Sequence, residues 1–171
     1  MRASGILLPV SSLPSKYGIG CFSKSAFEWI DFLQESGQTF WQILPLGPTS
    51  YGDSPYQSFS TFAGNPYFIS LEELIEEGLL TKEECDAAEL GTNPSYVDYE
   101  KQYENRNPLL HKAYENSKKR SDEDFLKFEE EQKAWLSDYA LFMALKDVHD
   151  KQAWNTWEEE LIQKDPKVLA K

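Results

Sequence analysis

One stretch of the sequence concentrates the side chains best suited to recognising a polar ligand: residues 47–67, GPTSYGDSPYQSFSTFAGNPY. It follows a short apolar run, and loops that leave a rigid strand often carry binding sites. Tyr51 and Tyr56 offer aromatic faces with phenolic hydroxyls, and Ser54 and Gln57 offer hydrogen-bonding groups. A sugar has both an apolar ring face and many hydroxyls, so the loop predicts a carbohydrate-binding site.

The same loop residues also have structural alternatives. The two tyrosine rings can pack into a core instead of facing a ligand, and the Asp-Ser-Pro sequence at 53–55 is turn chemistry that Ser54 can stabilise. Asp53 can accept a hydrogen bond from a sugar hydroxyl or form an Asx-turn, of which the turn is favoured. Asn65, which precedes Pro66, is favoured as a turn former over a ligand.

Catalysis by this stretch is not predicted. Cleavage of a glycosidic bond with retention of configuration needs two carboxyl groups about 5–5.5 Å apart. Asp53 is the single acid of the loop, while Glu72 and Glu73 belong to a predicted helix start. The sequence has no nucleophile elbow, phosphate-binding loop, dinucleotide-binding fingerprint or zinc-protease motif, and neither His111 nor His149 has metal-ligand spacing. We therefore expect no catalytic role for Asp53 and no metal site in this chain.

Composition limits the class of protein and its partners. With 171 residues, of which 40% are hydrophobic, the chain can bury a sizeable core. Its net charge of −12 disfavours nucleic acid and anionic membranes as partners, because both require basic surfaces. No stretch approaches the roughly 18 apolar residues of a membrane-spanning helix. The two cysteines have no pairing framework, so we expect a cytoplasmic protein.

The first third of the sequence predicts a βαβ unit. Residues 5–10 form a continuous apolar run, typical of a strand buried on both faces of a parallel sheet, and residues 40–46 form the second strand. Between them a helix is predicted to begin at Ser25, which has a capping-box partner in Glu28, and to end at Gly37. One face of this helix carries the apolar residues Ala26, Trp29, Ile30 and Leu33.

Three shorter helices are predicted after the loop. Ser70 and Thr81 each precede a Glu by three residues, which is the capping-box pattern. Asn107 followed by Pro108 predicts the N-cap and first residue of the third.

One long amphipathic helix is predicted over residues 121–149. Its apolar stripe comprises Phe125, Phe128, Trp135, Leu136, Tyr139, Phe142 and Met143.

The predicted fold is therefore of the α/β class, in two parts. Residues 1–70 form a βαβ part that includes the 47–67 loop, and residues 71–171 form a mostly helical segment. Two parallel strands cannot bury both faces of a sheet, and a new apolar pattern has begun where the sequence stops. The sequence is therefore expected to be the opening piece of a larger protein.

Two long motifs carry a resemblance to a known family. The sequences SGILLPVSSLPSKYGIG at 4–20 and WQILPLGPTSYGDSPYQSFSTFAGNPYFISLEEL at 41–74, with the EEGLL that follows, closely resemble the N-terminal region of 4-alpha-glucanotransferases. These are the amylomaltases, or disproportionating enzymes, of glycoside hydrolase family 77. Beyond residue 80 the likeness is limited to general helical character and a Trp-rich end.

The resemblance implies a partial (β/α)8 barrel, of which this chain supplies the first two parallel strands and a helical insertion. It implies transfer of α-1,4-glucan segments between maltodextrins or to glucose, by double displacement with retention and without a cofactor. The implied partners are α-1,4-glucans: maltooligosaccharides, amylose and glucose. The catalytic carboxylates of the family are expected downstream of this segment. The alternative is a non-catalytic module that binds α-glucans with the same loop.

The resemblance also implies roles for individual loop residues. The positions matching Ser54 and Tyr56 line donor-side sugar subsites near the cleaved bond. Asp53 and Gln57 are assigned supporting roles in the same motif. The position matching Tyr51 belongs to a second, more remote glucan-binding groove.

Overall fold

Two short parallel strands bring together the start of the chain and the segment that precedes the 47–67 loop. Strand β1 spans Gly5–Leu7 and β2 spans Phe40–Gln42, with Gly5 opposite Phe40 and Leu7 opposite Gln42. The parallel pairing confirms the sequence prediction. The computed structural model describes residues 2–50, 52–91, 93–118 and 123–169.

Both strands are shorter and more exposed than the sequence predicts. β1 ends before Pro9, which has no amide N–H for a ladder, and the chain then forms a 3₁₀ turn at Val10–Ser12. The last ladder-like bond runs from the Leu8 amide to the Gln42 carbonyl at 3.0 Å, ahead of Pro45. Burial on both faces is wrong for the described residues. Leu7 and Phe40 on one face are exposed, and Trp41 on the other is half-buried against a cluster of Val10, Leu13 and Ala26.

Helix α1 spans Lys24–Glu35 and connects the two strands. Its N-cap is Ser23, whose backbone is extended, so the predicted cap at Ser25 is wrong; Ser25 lies inside the first turn and shares a 3.0 Å hydroxyl contact with Ser23. The helix is terminated as predicted by Gly37, which follows the C-cap Ser36 and has a φ of +68°, the left-handed conformation that glycine tolerates. Ala26 and Leu33 are buried, whereas Ile30 on the same predicted face is exposed.

Helices α2 (Leu71–Glu76) and α3 (Lys82–Ala87) follow the loop. The Ser70 hydroxyl accepts a hydrogen bond from the Glu73 amide at 3.1 Å, which confirms Ser70 as a cap. Thr81 forms the complete capping box, since its side chain accepts from Glu84 and the Glu84 carboxylate accepts from the Thr81 amide.

A continuous helical path runs through α4 (Tyr99–Lys101), a π-helical turn (Gln102–Arg106) and α5 (Asn107–Ser117). The predicted N-cap at Asn107 is wrong because the backbone is already helical there. The cap lies at Asp98, whose carboxylate accepts a hydrogen bond from the Lys101 amide at 3.2 Å.

In the largest apolar cluster, the helices that follow the 47–67 loop pack against Tyr17, which lies in the segment after β1. Its buried members are Tyr17, Leu71, Leu79, Leu80, Cys85, Leu90, Leu109 and Ala113. A smaller cluster of Val10, Leu13 and Ala26 lies beside the strands. These two clusters fix the base from which the 47–67 loop projects.

The chain divides into two compact units, Met1–Ser121 and Asp122–Lys171. This division falls inside the segment predicted as one helical part; the predicted boundary between residues 70 and 71 stays a prediction. No helix in the described ranges has both the length and the apolar character needed to cross a lipid bilayer.

The second unit is built from short helices. These are α6 (Glu123–Gln132), α7 (Leu136–Val148), a 3₁₀ turn (Trp154–Thr156), α8 (Glu159–Ile162) and α9 (Pro166–Leu169). The single helix predicted over residues 121–149 is therefore wrong.

The break between α6 and α7 lies at Trp135. The indole N–H of Trp135 donates to the side chain of Gln132 at 2.8 Å, and its ring packs on Tyr139 with centroids 5.9 Å apart. These contacts accompany a backbone turn at Trp135, with φ −134° and ψ −28°, and no proline or glycine in the sequence marks it.

Candidate carbohydrate-binding site

The 47–67 loop is held at its base by contacts with the strands and their extensions. The Trp41 indole N–H donates to the Leu8 carbonyl at 2.8 Å, joining the two strand ends. The Asn65 amide donates to the Leu46 carbonyl at 2.8 Å, which brings the end of the loop back to its beginning. The loop therefore leaves and re-enters the fold at the carboxyl ends of parallel strands, a common position for ligand sites.

Hydrogen bonds within the loop fix its shape. The Asp53 amide donates to the Ser50 carbonyl at 3.0 Å, and the Gln57 amide donates to the Ser54 carbonyl at 3.1 Å. The Ser50 hydroxyl donates to the Gln57 carbonyl at 3.1 Å, so both sides of the loop tip are joined. A Cβ at Gly47 would collide with the Ser58 hydroxyl, which explains why glycine stands there.

The tip of the loop has two consecutive left-handed residues. Gly52 has φ +86° and Asp53 has φ +52°. Glycine adopts this conformation freely, whereas aspartate there is uncommon and is stabilised by its surroundings. This backbone directs Asp53 into the molecule, where it lines a cavity beneath the loop.

The predicted sugar-contacting residues differ in exposure. Tyr56 is 73% exposed, so its ring faces solvent and does not pack into a core. Ser54 is half-buried and Gln57 is exposed. Tyr51 lies outside the described residues. Tyr56 and Ser54 thus present an aromatic face and a hydroxyl from one turn, with Pro55 between them.

The turn roles predicted for the loop are partly correct. The Ser54 hydroxyl accepts from the Tyr56 amide at 3.4 Å, and the side-chain Oδ1 of Asn65 accepts from the Tyr67 amide at 3.0 Å, so both act as turn formers. The Asx-turn favoured for Asp53 is wrong. It would require the amide N–H of Pro55, which proline lacks.

The cavity beneath the loop has a volume of about 110 Å³. Asp53, Asn65, Tyr67 and Tyr99 contribute polar groups to its lining, together with apolar residues of the strand ends. The Tyr67 and Tyr99 rings lie 6.1 Å apart between centroids. Tyr99 comes from helix α4, so the helical segment after the loop completes the cavity.

Burial sets the electrostatics of this cavity. It raises the pKa of the Asp53 carboxyl above its usual value. Burial, followed by the charge of Asp53, raises the pKa of Tyr67 to about 12, and burial raises the pKa of Tyr99. Both phenols therefore stay protonated at neutral pH and can donate hydrogen bonds into the cavity.

The arrangement is suited to binding more than to bond cleavage. Asp53 is the single carboxylate lining the cavity among the described residues, so an acid–base pair is not assembled there. Across residues 2–50, 52–91, 93–118 and 123–169, no three His, Cys, Asp or Glu side chains are grouped to hold a metal ion.

Sequence analysis missed the contribution of Tyr67 and Tyr99. Tyr67 lies at the end of the loop motif, in Asn-Pro-Tyr, where it is buried and its backbone amide donates to the N-cap Asn65. Tyr99 follows Asp98, and Asp is one of the residues preferred at a helix N-cap. That signal could have placed Tyr99 at a helix start, but not beside the loop.

Comparisons with known proteins agree on one family. The sequence model of glycoside hydrolase family 77, described as 4-alpha-glucanotransferase, matches residues 8–171. A 4-alpha-glucanotransferase from Clostridium butyricum is 52% identical over 152 residues, which cover 89% of this chain and 31% of that protein. A 4-alpha-glucanotransferase from Thermus thermophilus is 45% identical over 172 aligned residues, which cover 98% of this chain and 33% of that protein.

A solved structure supports the same relationship. Amylomaltase from Streptococcus agalactiae in complex with acarbose superimposes with a TM-score of 0.94 at 42% identity, over 99% of this chain and 35% of that chain. The chain spans about a third of the length of the relatives it matches. The match by sequence and by structure is nonetheless continuous across nearly all of the chain. The chain therefore belongs to glycoside hydrolase family 77, the family of the 4-alpha-glucanotransferases.

Proposed function

We propose that this chain supplies donor-side sugar-binding residues to a 4-alpha-glucanotransferase. The enzyme would transfer α-1,4-glucan segments between maltodextrins or to glucose, with retention, through a covalent glycosyl–enzyme intermediate. The observation that carries the proposal is the 73% exposure of Tyr56 beside the Ser54 hydroxyl, on a loop held at the strand ends. Family membership and the acarbose bound to the similar amylomaltase agree with a glucan ligand.

Each loop residue has a proposed role. Tyr56 stacks on a sugar ring and Ser54 hydrogen-bonds a sugar hydroxyl near the cleaved bond. Gln57 and Asp53 support them, Asp53 from below because its carboxyl lines the buried cavity. Tyr51 contributes to a second, more remote glucan groove.

The nucleophile and the acid/base group of the reaction would come from polypeptide other than these 171 residues. Retaining glycoside chemistry needs two carboxyl groups about 5–5.5 Å apart, and the described part of the cavity contributes only Asp53. The proposed enzyme uses no metal or cofactor and works in the cytoplasm on maltooligosaccharides, amylose and glucose.

We also propose that β1 and β2 are the first two strands of a (β/α)8 barrel. Their parallel register and the helix between them fit one βαβ step of such a barrel. The exposed Leu7 and Phe40 side chains would then contact further barrel elements.

Maltotriose disproportionation by the full-length protein tests the proposal. Glucose release together with formation of longer glucans is expected, and Tyr56→Ala should reduce kcat/KM by about tenfold or more because a central aromatic contact is lost. Tyr114→Ala, which removes another exposed tyrosine outside the loop, is the matched control and should leave the rate unchanged. Glucan binding without any transfer would favour the non-catalytic module, and equal rates for Tyr56→Ala and wild type would contradict the role of the loop.

A further inference from the structure

The most unusual polar group of the first unit is a buried arginine. Arg106 is 1% exposed, and Gln102, one turn before it, is fully buried at 0%. Both lie on the π-helical turn Gln102–Arg106 between α4 and α5. Such turns insert one extra residue into a helix and occur frequently at functional sites.

The hydrogen-bond partners of Arg106 are neutral. One guanidinium nitrogen, Nη2, donates to the Ile69 carbonyl at 2.5 Å, and Nη1 donates to the Gln102 side-chain oxygen at 3.3 Å. None of the described carboxylates forms an ion pair with Arg106, and its Nε has no hydrogen-bond partner within the described residues. Burial accordingly lowers the pKa of the guanidinium.

Gln102 extends the contacts to two further segments. Its side-chain amide donates to the Tyr17 carbonyl at 2.8 Å and to the Leu90 carbonyl at 2.5 Å. Together, Gln102 and Arg106 hold three backbone carbonyls from three distant parts of the chain. A buried charge without a carboxylate partner is costly, and an apolar residue of similar size would fill the same space at lower cost.

The position of the Ile69 carbonyl suggests why the charge is retained. Ile69 directly follows the 3₁₀ turn Pro66–Phe68, which closes the 47–67 loop. The same turn contains Tyr67, whose ring meets that of Tyr99 from the helix before the π-helical turn. The segment 98–106 therefore holds the end of the loop at two points.

We infer that Arg106 and Gln102 are positioning residues that hold the closing segment of the 47–67 loop in its sugar-binding arrangement. They touch backbone carbonyls and act on the ligand only through the loop. The inference rests on the proposed function, because it requires that the loop binds the donor glucan.

Steady-state kinetics on maltotriose with the full-length protein separate positioning from simple stabilisation. Arg106→Lys keeps the charge, but its shorter side chain with a single nitrogen cannot bridge both acceptors. A displaced loop weakens donor binding, so KM should rise about tenfold with kcat little changed. If Arg106 only stabilised the fold, Arg106→Lys would reduce the fraction of folded enzyme. The apparent kcat would then fall and KM would stay unchanged.

Two further variants complete the experiment. Gln102→Met removes the acceptor for Arg106 at nearly constant volume and should raise KM in the same direction, by about threefold. Asn116→Ala is the matched control, since Asn116 also donates from its side chain to a buried backbone carbonyl, that of Leu79 at 2.8 Å, which belongs neither to the 47–67 loop nor to the segment that closes it. It should lower the melting temperature without changing KM.

The outcomes are distinguishable. A rise in KM for Arg106→Lys and Gln102→Met, absent in Asn116→Ala, supports the inference. An unchanged KM in both variants overturns it, and so does loss of folding in both, because the residues would then have no role separable from folding. If Tyr56→Ala also leaves kcat/KM unchanged, it is the proposed function of the loop that fails.

Discussion

The helices after the loop and the strands before it bury their apolar residues to very different extents. Leu71, at the start of α2, is 0% exposed within a cluster of eight buried residues. Leu7 of β1 is 55% exposed, and Phe40 of β2 is also exposed. The helical part is closed by contacts that the described residues themselves supply, whereas the sheet is open on the face that carries Leu7 and Phe40. On its other face Trp41 packs against the cluster of Val10, Leu13 and Ala26.

The difference arises because helices and strands find their hydrogen-bond and packing partners in different places. A helix satisfies its backbone locally and needs one apolar partner face, which the neighbouring helices provide. A strand pairs its backbone with neighbouring strands and buries its side chains only under a covering layer, and here each described strand has one neighbour. The site loop projects from the open region, but Arg106 and Tyr99 of the closed region hold its end.

The largest effect on stability is expected in the closed region. Leu71→Ala in the full-length protein should reduce the free energy of unfolding by about 2–5 kcal/mol, because it leaves a cavity in a fully packed core. Urea denaturation measures the change. A loss below about 1 kcal/mol would show that this cluster is not the packed core described here.

The next largest loss of stability is expected in the strand region. If further barrel elements cover β1, Leu7→Ala in the full-length protein should cost about 2 kcal/mol despite the exposure of Leu7 in this chain. The same denaturation experiment applies. A change within about 0.5 kcal/mol, which is typical of a surface site, would mean that the strand face stays open.

Helix capping provides a smaller and more local test. Thr81→Ala removes a complete capping box and should cost about 1 kcal/mol of stability. Ser25→Ala is the matched control, because the capping box expected there from sequence is absent and the change should stay within about 0.5 kcal/mol. Equal losses in the two variants would contradict the assignment of these caps.

The smallest effect concerns the second unit, where His149 stacks on the buried Trp157 with ring centroids 5.0 Å apart. His149 Nε2 lies 2.9 Å from a Glu158 carboxylate oxygen, and Nδ1 lies 2.8 Å from the Leu145 carbonyl. Both partners accept hydrogen bonds, so Glu158 first and the carbonyl second raise the pKa of His149.

The sign of the resulting pH dependence follows from that shift. The stabilisation is fully present below the unfolded-state pKa of about 6.5 and is lost as pH rises through the higher folded-state pKa. An NMR titration of the His149 ring should give a pKa above 6.5 in wild type and a lower one in Glu158→Gln. Identical titration curves would exclude the pair.

Features with a local sequence signal could be predicted from sequence, and most long-range contacts could not. The caps at Ser70 and Thr81 depend on neighbouring residues, and the structure confirms them. The parallel pairing of β1 with β2 joins distant segments, but it could be predicted because two apolar runs flank one helix, as in a βαβ unit. Ser25 is the better cap in sequence because Glu28 lies three residues later, and only the backbone conformation shows that Ser23 is the N-cap. The helix break at Trp135 has no sequence marker because it accompanies side-chain contacts.

The site shows the same division. The exposed Tyr56 and the turn at Ser54 follow from the local motif, and their roles toward a sugar stay predictions. Arg106 bonds to a carbonyl 37 residues away, a contact that no pattern in the sequence indicates. The sequence favours an Asx-turn at Asp53, but Pro55 has no amide N–H to donate to the Asp53 side chain. Asp53 lines a cavity instead.

A crystal structure of the full-length protein with a maltooligosaccharide tests the central claim most directly. We expect a glucose ring stacked on the Tyr56 side chain and a sugar hydroxyl within hydrogen-bonding distance of the Ser54 hydroxyl. A bound glucan that makes no contact with the 47–67 loop would contradict it.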